Sequence, residues 1–267
     1  MGNLSRELIE RSQYSRGGFA EQYDRARPAP PPALLDLLCR LAIVERPRLV
    51  VDLGCGTGLS TRVWAERADA VVGIEPNHEM LARAVVATEA PNVEYIESYA
   101  NATGLDDGVA DVVTCSQSLH WMDPGETFEE AARILRPGGV FTAYDYDLPP
   151  IVHPEVDAAF DVYMRRRGEI RRARDVRMGA ERLPKGKEGH LERMRASGRF
   201  RACRELLVHA VDRADAERVV GLALSIGPSL EDETAEALAE LRTVCERVLG
   251  ATPTTWHVGY RVRAGLK

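Results

Sequence analysis

The sequence predicts a doubly wound α/β fold, and three observations carry that expectation. Short β-branched runs alternate with helical stretches between residues 48 and 147, the pattern of a parallel sheet crossed by right-handed βαβ connections. The first run ends in a glycine-rich turn, VDLGCGTG, from Val51 to Gly58. The second run ends on a carboxylate, Glu75, about twenty residues past the first glycine, where an acid at a strand end can reach a ribose diol.

The elements follow in order. The opening segment is polar, with Tyr14, Phe19 and Tyr23 interspersed, and the proline run from Pro28 to Pro32 closes it. Such a run stops one element and can open the next at its first helical position. Ala33 to Ile43 carries an apolar stripe at Leu34, Leu37, Leu38 and Leu41 and reads as a short helix. RLVVDLG, from Arg48 to Gly54, reads as a strand buried on both faces. Leu59 to Arg67 is expected to be helix, Ala68 to Glu75 strand, and His78 to Ala87 helix. Asn92 to Ser98 and Ala110 to Ser116 read as strands, then Glu126 to Leu135 as helix. RPGG punctuates the chain before a fifth strand, Gly139 to Asp147. After Pro149 and Pro150 the rhythm breaks. Val156 to Arg177 reads as one or two basic helices, Gly198 to Val211 as a strand, and Ala214 to Leu224 and Asp232 to Leu249 as helices. Thr254 to Gly265 alternates as a last strand. No internal repeat is visible. The expected organisation is a lid segment over residues 1–32, a ligand-binding core over 33–148, a basic helical cap over 149–197 inserted after the fifth strand, and a completion of the sheet over 198–267.

Composition narrows the function. The 267 residues carry 35 Lys and Arg against 41 Asp and Glu, a formal net charge of -6, which disfavours a general nucleic-acid binder. The sum hides a basic stretch that includes Arg165, Arg166, Arg167, Arg171, Arg172 and Arg174. It reads either as a solvated helix face laced with ion pairs, as a cap whose arginines, Arg166 among them, grip an anionic acceptor, or as a contact with another subunit in a homo-oligomer. The 5 cysteines are scattered without a CxxC pair, so neither a disulfide framework nor a metal site is expected. No leader-like apolar region opens the chain and no stretch approaches the roughly 20 apolar residues of a membrane span. A cytoplasmic protein with no membrane partner is expected.

In VDLGCGTG the glycines fall at Gly54, Gly56 and Gly58, whereas a dinucleotide loop would place its third glycine at the position held by Leu59. The spacing suits a ligand without a pyrophosphate. The glycine spacing disfavours a nicotinamide-dependent oxidoreductase, as does the absence of a TyrxxxLys pair.

These stretches resemble the class I S-adenosylmethionine-dependent methyltransferases, most closely the branch of the ubiquinone and menaquinone C-methyltransferases and the trans-aconitate methyltransferases. The matching segments are YDRARPAPP from Tyr23, VVDLGCGTG, VVGIEPNHEM from Val71, YANATGLDDGVADVVTCSQSLHWMD from Tyr99, and ILRPGGVF from Ile134. The resemblance implies a Rossmann-like, mostly parallel seven-stranded sheet with an antiparallel last strand and an N-terminal helical lid. It implies S-adenosyl-L-methionine as cofactor, S-adenosyl-L-homocysteine as product and a small molecule as methyl acceptor. Asp52, Gly54, Gly56, Thr57 and Gly58 would then line the methionine and ribose, and Glu75 would take the ribose hydroxyls. Pro76 and Met80 would pack near adenine, and Ala100 and Asn101 would lie at its edge. Many relatives carry an acid where Asn101 stands, but an amide can still accept from the exocyclic amine. Ser116 and Gln117 would hold the methionine end.

His120 and Trp121 follow the fourth strand on the loop that should face the acceptor, and His120 is the candidate general base. A packing or shielding role for the pair is the alternative. Tyr14 and Tyr23 either close over the cofactor or anchor the first helix. SQSLHW stands where base-modifying enzymes of this fold carry [DN]PP[YFW], so nucleic acid is disfavoured as acceptor. The competing functional class is a protein that retains the cofactor without methylating, such as a pericyclase, a regulator or a binding module.

Overall fold

The computed structural model describes residues 19–177, 186–226 and 231–267. Tyr14, most of the expected lid segment and part of the basic insertion lie outside them.

Consecutive apolar residues on a strand point to opposite faces of a sheet, so a strand with both neighbours apolar must be covered twice. Val50 and Val51, Val112 and Val113, and Val140 and Phe141 are all fully buried, and the sheet is accordingly layered on both sides. Its five parallel strands are β1 (Leu49–Leu53), β2 (Ala70–Ile74), β3 (Val93–Ile96), β4 (Ala110–Ser116) and β5 (Leu135–Tyr146). Two long strands complete it, β6 (Arg201–Ala214) and β7 (Thr254–Leu266). The order is β3-β2-β1-β4-β5-β7-β6, and β7 runs antiparallel to both its neighbours. The direction of strand succession reverses between β1 and β4, which opens a crevice at their carboxyl ends.

One face is covered by α2 (Pro32–Leu41), through Leu34, Leu35 and Leu38, together with α5 (Pro154–Arg177), α7 (Ala216–Leu224) and α8 (Glu231–Val248). The other is covered by α4 (Pro124–Ile134), through Phe128, Ala131 and Ile134, and by Met194 of α6 (His190–Ala196). On that side Phe141 and Phe200 stack at 5.0 Å between ring centroids. The helices begin where sequence chemistry starts them. Asn77 Oδ1 accepts from Met80 N at 3.0 Å ahead of α3 (His78–Val86), and Asp123 Oδ1 accepts from Glu126 N at 3.0 Å ahead of α4, where Pro124 occupies the first turn. The first described helix, α1 (Phe19–Ala26), packs against α7.

Two expectations shift, and a third is met. The helix expected over Leu59 to Arg67 is a set of turns with one 3-10 turn, Arg62–Trp64. The hydroxyls of Ser60 and Thr61 are committed to the buried Asp52, and the following N–H groups close i to i+3 bonds, Trp64 to Thr61 at 3.1 Å and Ala65 to Arg62 at 3.1 Å. RPGG does not separate helix from strand. It lies within β5 as an irregularity: Ala110 faces Leu135 while Val112 faces Val140, with Gly138 at φ +78°. The basic segment forms one long helix, α5, anchored by Val156, Phe160 and Tyr163 in the core, with Tyr163 Oη donating to Ala223 O at 3.2 Å. Among the described residues no helix is long and apolar enough to cross a membrane, and no group of three His, Cys, Asp or Glu is placed to hold a metal.

Candidate functional site

At the end of β1 the chain enters a turn in which Gly54, Gly56 and Gly58 have φ of +68°, +57° and +75°, values that favour glycine. The space around them differs. A Cβ on Gly54 would stand 2.6 Å from Met122 Cε and 2.8 Å from Ser118 Cβ, and one on Gly58 would collide with Tyr95 Oη. A Cβ on Gly56 would meet only Met80 Cε, at 3.4 Å. Protein packing therefore demands the outer glycines, whereas Gly56 leaves room beside the cleft.

The turn is tied from beneath. Asp52 accepts from Ser60 Oγ at 2.6 Å, Thr61 Oγ1 at 2.8 Å and Thr114 Oγ1 at 2.7 Å. Burial pushes its carboxyl above the ordinary range, and the three hydroxyls oppose that. Above the turn, Glu75 Oε2 accepts from Gly56 N and Oε1 from Asn77 N, both at 2.9 Å. Enclosure raises the Glu75 carboxyl to about 7, since the two N–H bonds offset only part of the desolvation. Each carboxylate oxygen keeps a further lone pair for a ligand.

One cavity collects the residues that the sequence singled out. Gly54, Gly56, Thr57, Glu75, Pro76, Met80, Ala100, Asn101, Ser116 and Gln117 line it together with Tyr23 and Trp121. Asp52 and Gly58 do not reach its wall. The parity of β1 turns Asp52 into the fully buried layer under the loop, and Gly58 packs on Tyr95. Asn101 Nδ2 donates to Glu126 Oε2 at 2.6 Å, which leaves the amide oxygen as its remaining acceptor. Glu126 itself lines the cavity and supplies an acid near the position where Asn101 lacks one.

Helix α1 forms one wall. Tyr23, Arg27, Pro28 and Pro30 face the cavity, and Asp24 fastens the helix. Asp24 Oδ1 accepts from Thr57 Oγ1 at 3.0 Å and from Arg62 Nη2 at 2.5 Å, and Oδ2 accepts from Arg83 Nη2 at 3.2 Å. Arg27 stacks on the Tyr23 ring at 4.1 Å and donates to Ser225 O at 2.8 Å. Sequence reasoning passed over Asp24 and Arg27, although both sit in the YDRARPAPP stretch that carried the resemblance.

At the other end, His120 lies in the turn Leu119–Trp121 behind the cavity wall, with its ring 5.2 Å from that of Trp121. Its Nδ1 is buried and has no partner among the described residues. Burial, then the charges of Lys187, His190, Arg27 and Arg171, hold it well below the ordinary histidine range, so it is neutral at pH 7. Arg166 is not brought to the cavity; it is exposed and faces Glu169 at 3.5 Å on its own helix. The insertion reaches the site through a different cation. Lys187 Nζ pairs with Asp145 Oδ1 at 2.9 Å and donates to Gln117 Oε1, and Asp145 is held on its other side by Arg263 at 2.9 Å.

Comparison with known proteins finds similarity to methyltransferases. A methyltransferase-domain family matches residues 51–143. An uncharacterized methyltransferase of Mycobacterium tuberculosis is 39% identical over 125 residues, 47% of this chain and 49% of its own length. A probable S-adenosylmethionine-dependent methyltransferase of Saccharomyces cerevisiae is 30% identical over 161 residues, 58% of this chain and 54% of its own. The chain spans about half the length of these curated relatives. Among solved structures, the "Putative Type II Methyltransferase" of Anaeromyxobacter dehalogenans superposes with a TM-score of 0.64 at 26% identity, covering 90% of this chain and 97% of that one.

Proposed function

We propose that this protein, whose residues 51–143 match a methyltransferase-domain family, binds S-adenosyl-L-methionine in the cleft and transfers its methyl group to a small-molecule acceptor. The observation that carries the reading is Glu75. Its carboxylate is fixed by Gly56 N and Asn77 N at 2.9 Å each, faces the cavity at the end of β2, and retains lone pairs for a ribose diol. Beside it, Gly56 has no side chain to occupy the ligand's space, and Pro76, Met80 and Ala100 supply an apolar wall that suits a purine.

The bound cofactor supplies an electrophilic methyl on a sulfonium, so the chain's work is chiefly placement. Glu75 orients the ribose, and Asn101, held by Glu126, accepts at the adenine edge. Ser116 holds the amino-acid end, and Tyr23 and Trp121 exclude water. His120, neutral and behind the wall, backs the Trp121 ring.

Calorimetry tests the reading directly. S-adenosylhomocysteine should bind and NAD should not, and Glu75→Ala should weaken binding by about 1–3 kcal/mol through loss of charge-assisted bonds. Unchanged affinity in that variant would remove the support for the site. Release of S-adenosylhomocysteine during incubation with candidate acceptors separates a methyltransferase from a protein that only retains the cofactor.

A further inference from the structure

Where β4 leaves the sheet, Gln117 adopts φ +55°, a left-handed conformation that disfavours any residue with a side chain. The neighbourhood over-determines it. Its N–H donates to Tyr144 O at 3.0 Å, and its Oε1 accepts from Lys187 Nζ. An ammonium cannot accept, so the orientation of the amide is fixed. Nε2 is buried with no partner among the described residues, on a side chain that lines the cavity. Tyr146 repeats the pattern from β5. It is 7% exposed, lines the same cavity, and its hydroxyl also has no partner among the described residues. A buried polar group left without a partner destabilises a fold, so two of them on one cavity wall point to a ligand that completes them.

The third group is charged. The Arg27 guanidinium lines the cavity and lies 5.8 Å from the Tyr146 ring centroid. Its Nε and Nη2 donate to Ser225 Oγ at 3.1 Å and to Ser225 O at 2.8 Å, which fixes the guanidinium in place. An amide NH2 and a guanidinium only donate, and a phenol hydroxyl can donate. Three donors and a positive charge on one wall complement an oxygen that bears negative charge.

We propose that Gln117, Tyr146 and Arg27 form the acceptor subsite and that it takes a small molecule presenting an anionic oxygen, a carboxylate or a phenolate. The proposal rests on the reading of the cleft as a methyl-transfer site. It moves anion recognition away from the arginines of α5, where Arg166 is exposed and off the cavity wall, to the end of the first helix and the ends of β4 and β5. Lys187 is a positioning residue, bridging Gln117 and Asp145. The two sources of anionic oxygen differ in one respect: a carboxylate has no proton to lose, whereas a phenol binds as the anion only after giving one up to solvent.

The test uses the full chain saturated with S-adenosylhomocysteine and four probes of similar size: benzoate, 4-nitrophenolate, benzamide and benzylammonium. Calorimetry and thermal melting at pH 8.5 should show at least one anion binding tenfold or more tighter than benzamide and benzylammonium. Benzoate in the lead identifies a carboxylate acceptor, and 4-nitrophenolate in the lead a phenol. Tyr146→Phe, which keeps the ring, and Arg27→Gln should each weaken the anion tenfold or more, while Tyr146→Phe leaves S-adenosylhomocysteine affinity within about twofold. Circular dichroism on the same samples confirms folding. The subsite is overturned if the neutral or cationic probe binds as tightly as the anions, if no probe binds the saturated protein, or if Tyr146→Phe leaves anion affinity unaltered. Failure of S-adenosylhomocysteine itself to bind overturns the methyl-transfer reading instead.

Discussion

Replacing Glu75 by glutamine removes a titration that the fold opposes. The carboxyl titrates at about 7 in the folded protein against an ordinary value of 4.5. Between those values the unfolded chain has released a proton that the folded chain still holds. The contribution of this group to stability is therefore greatest below pH 4.5 and falls as pH rises through 7. At about 1.4 kcal/mol per pH unit, the interval amounts to about 3 kcal/mol. Glutamine leaves one of Gly56 N and Asn77 N poorly matched, but that penalty is independent of pH. The quantity to follow is the difference in unfolding free energy between Glu75→Gln and wild type, by urea denaturation without ligand from pH 4.5 to 8. It should move by about 3 kcal/mol in favour of the variant. In wild type the ligand reverses the preference: ribose hydroxyls donate to the carboxylate, so S-adenosylhomocysteine affinity should rise with pH up to about 7 and then level. Parallel stability curves for the two proteins would refute the reasoning.

Gly56→Val should fold, with about 1–2 kcal/mol of strain from its positive φ, yet lose cofactor binding; circular dichroism and titration on one sample separate the two effects, and retained binding would contradict the open space seen at Gly56. Gly54→Ala should be worse for the fold, because its Cβ meets Met122 and Ser118 at 2.6 and 2.8 Å, and a thermal melt within a degree of wild type would argue against that packing. Asp24→Asn should destabilise the protein by about 3 kcal/mol, since Arg62 and Arg83 lose a shared, largely buried carboxylate. Limited proteolysis should then cut first between residues 19 and 27.

The sheet was legible because burial on both faces leaves an unbroken apolar run, as in LVVDL and ADVVTCS. Glu75 and Gly56 were legible for a related reason: a glycine turn and a strand-end acid are local patterns, and the backbone alone brings them together. The Leu59 to Arg67 segment misled because its periodicity carries no sign that Ser60 and Thr61 serve a carboxylate eight and nine residues earlier. Asp52 was assigned to the ligand because it sits inside the motif, but strand parity turns it beneath the loop. The groups that shape the far end of the cleft were invisible. Lys187 meets Gln117 across 70 residues of sequence, and no spacing rule connects Arg27 with Tyr146. The arginine run drew attention by density, whereas the structure uses position.

The interior place of β7 has a consequence for how the molecule is made. Val140 of β5 pairs with Leu266, and Arg213 of β6 with Thr255, so the seam between these strands is closed by a strand made after both of them. Until residues 254–266 emerge, β5 presents an unpaired flank of apolar residues and β6 has no partner at all. Contacts of such sequence separation pay loop-closure entropy before they return any stability. A chain stalled before β7 would therefore expose two adhesive edges at once, and folding of this protein on the ribosome should be slow to commit, with its glycine turn and first five strands waiting on the last.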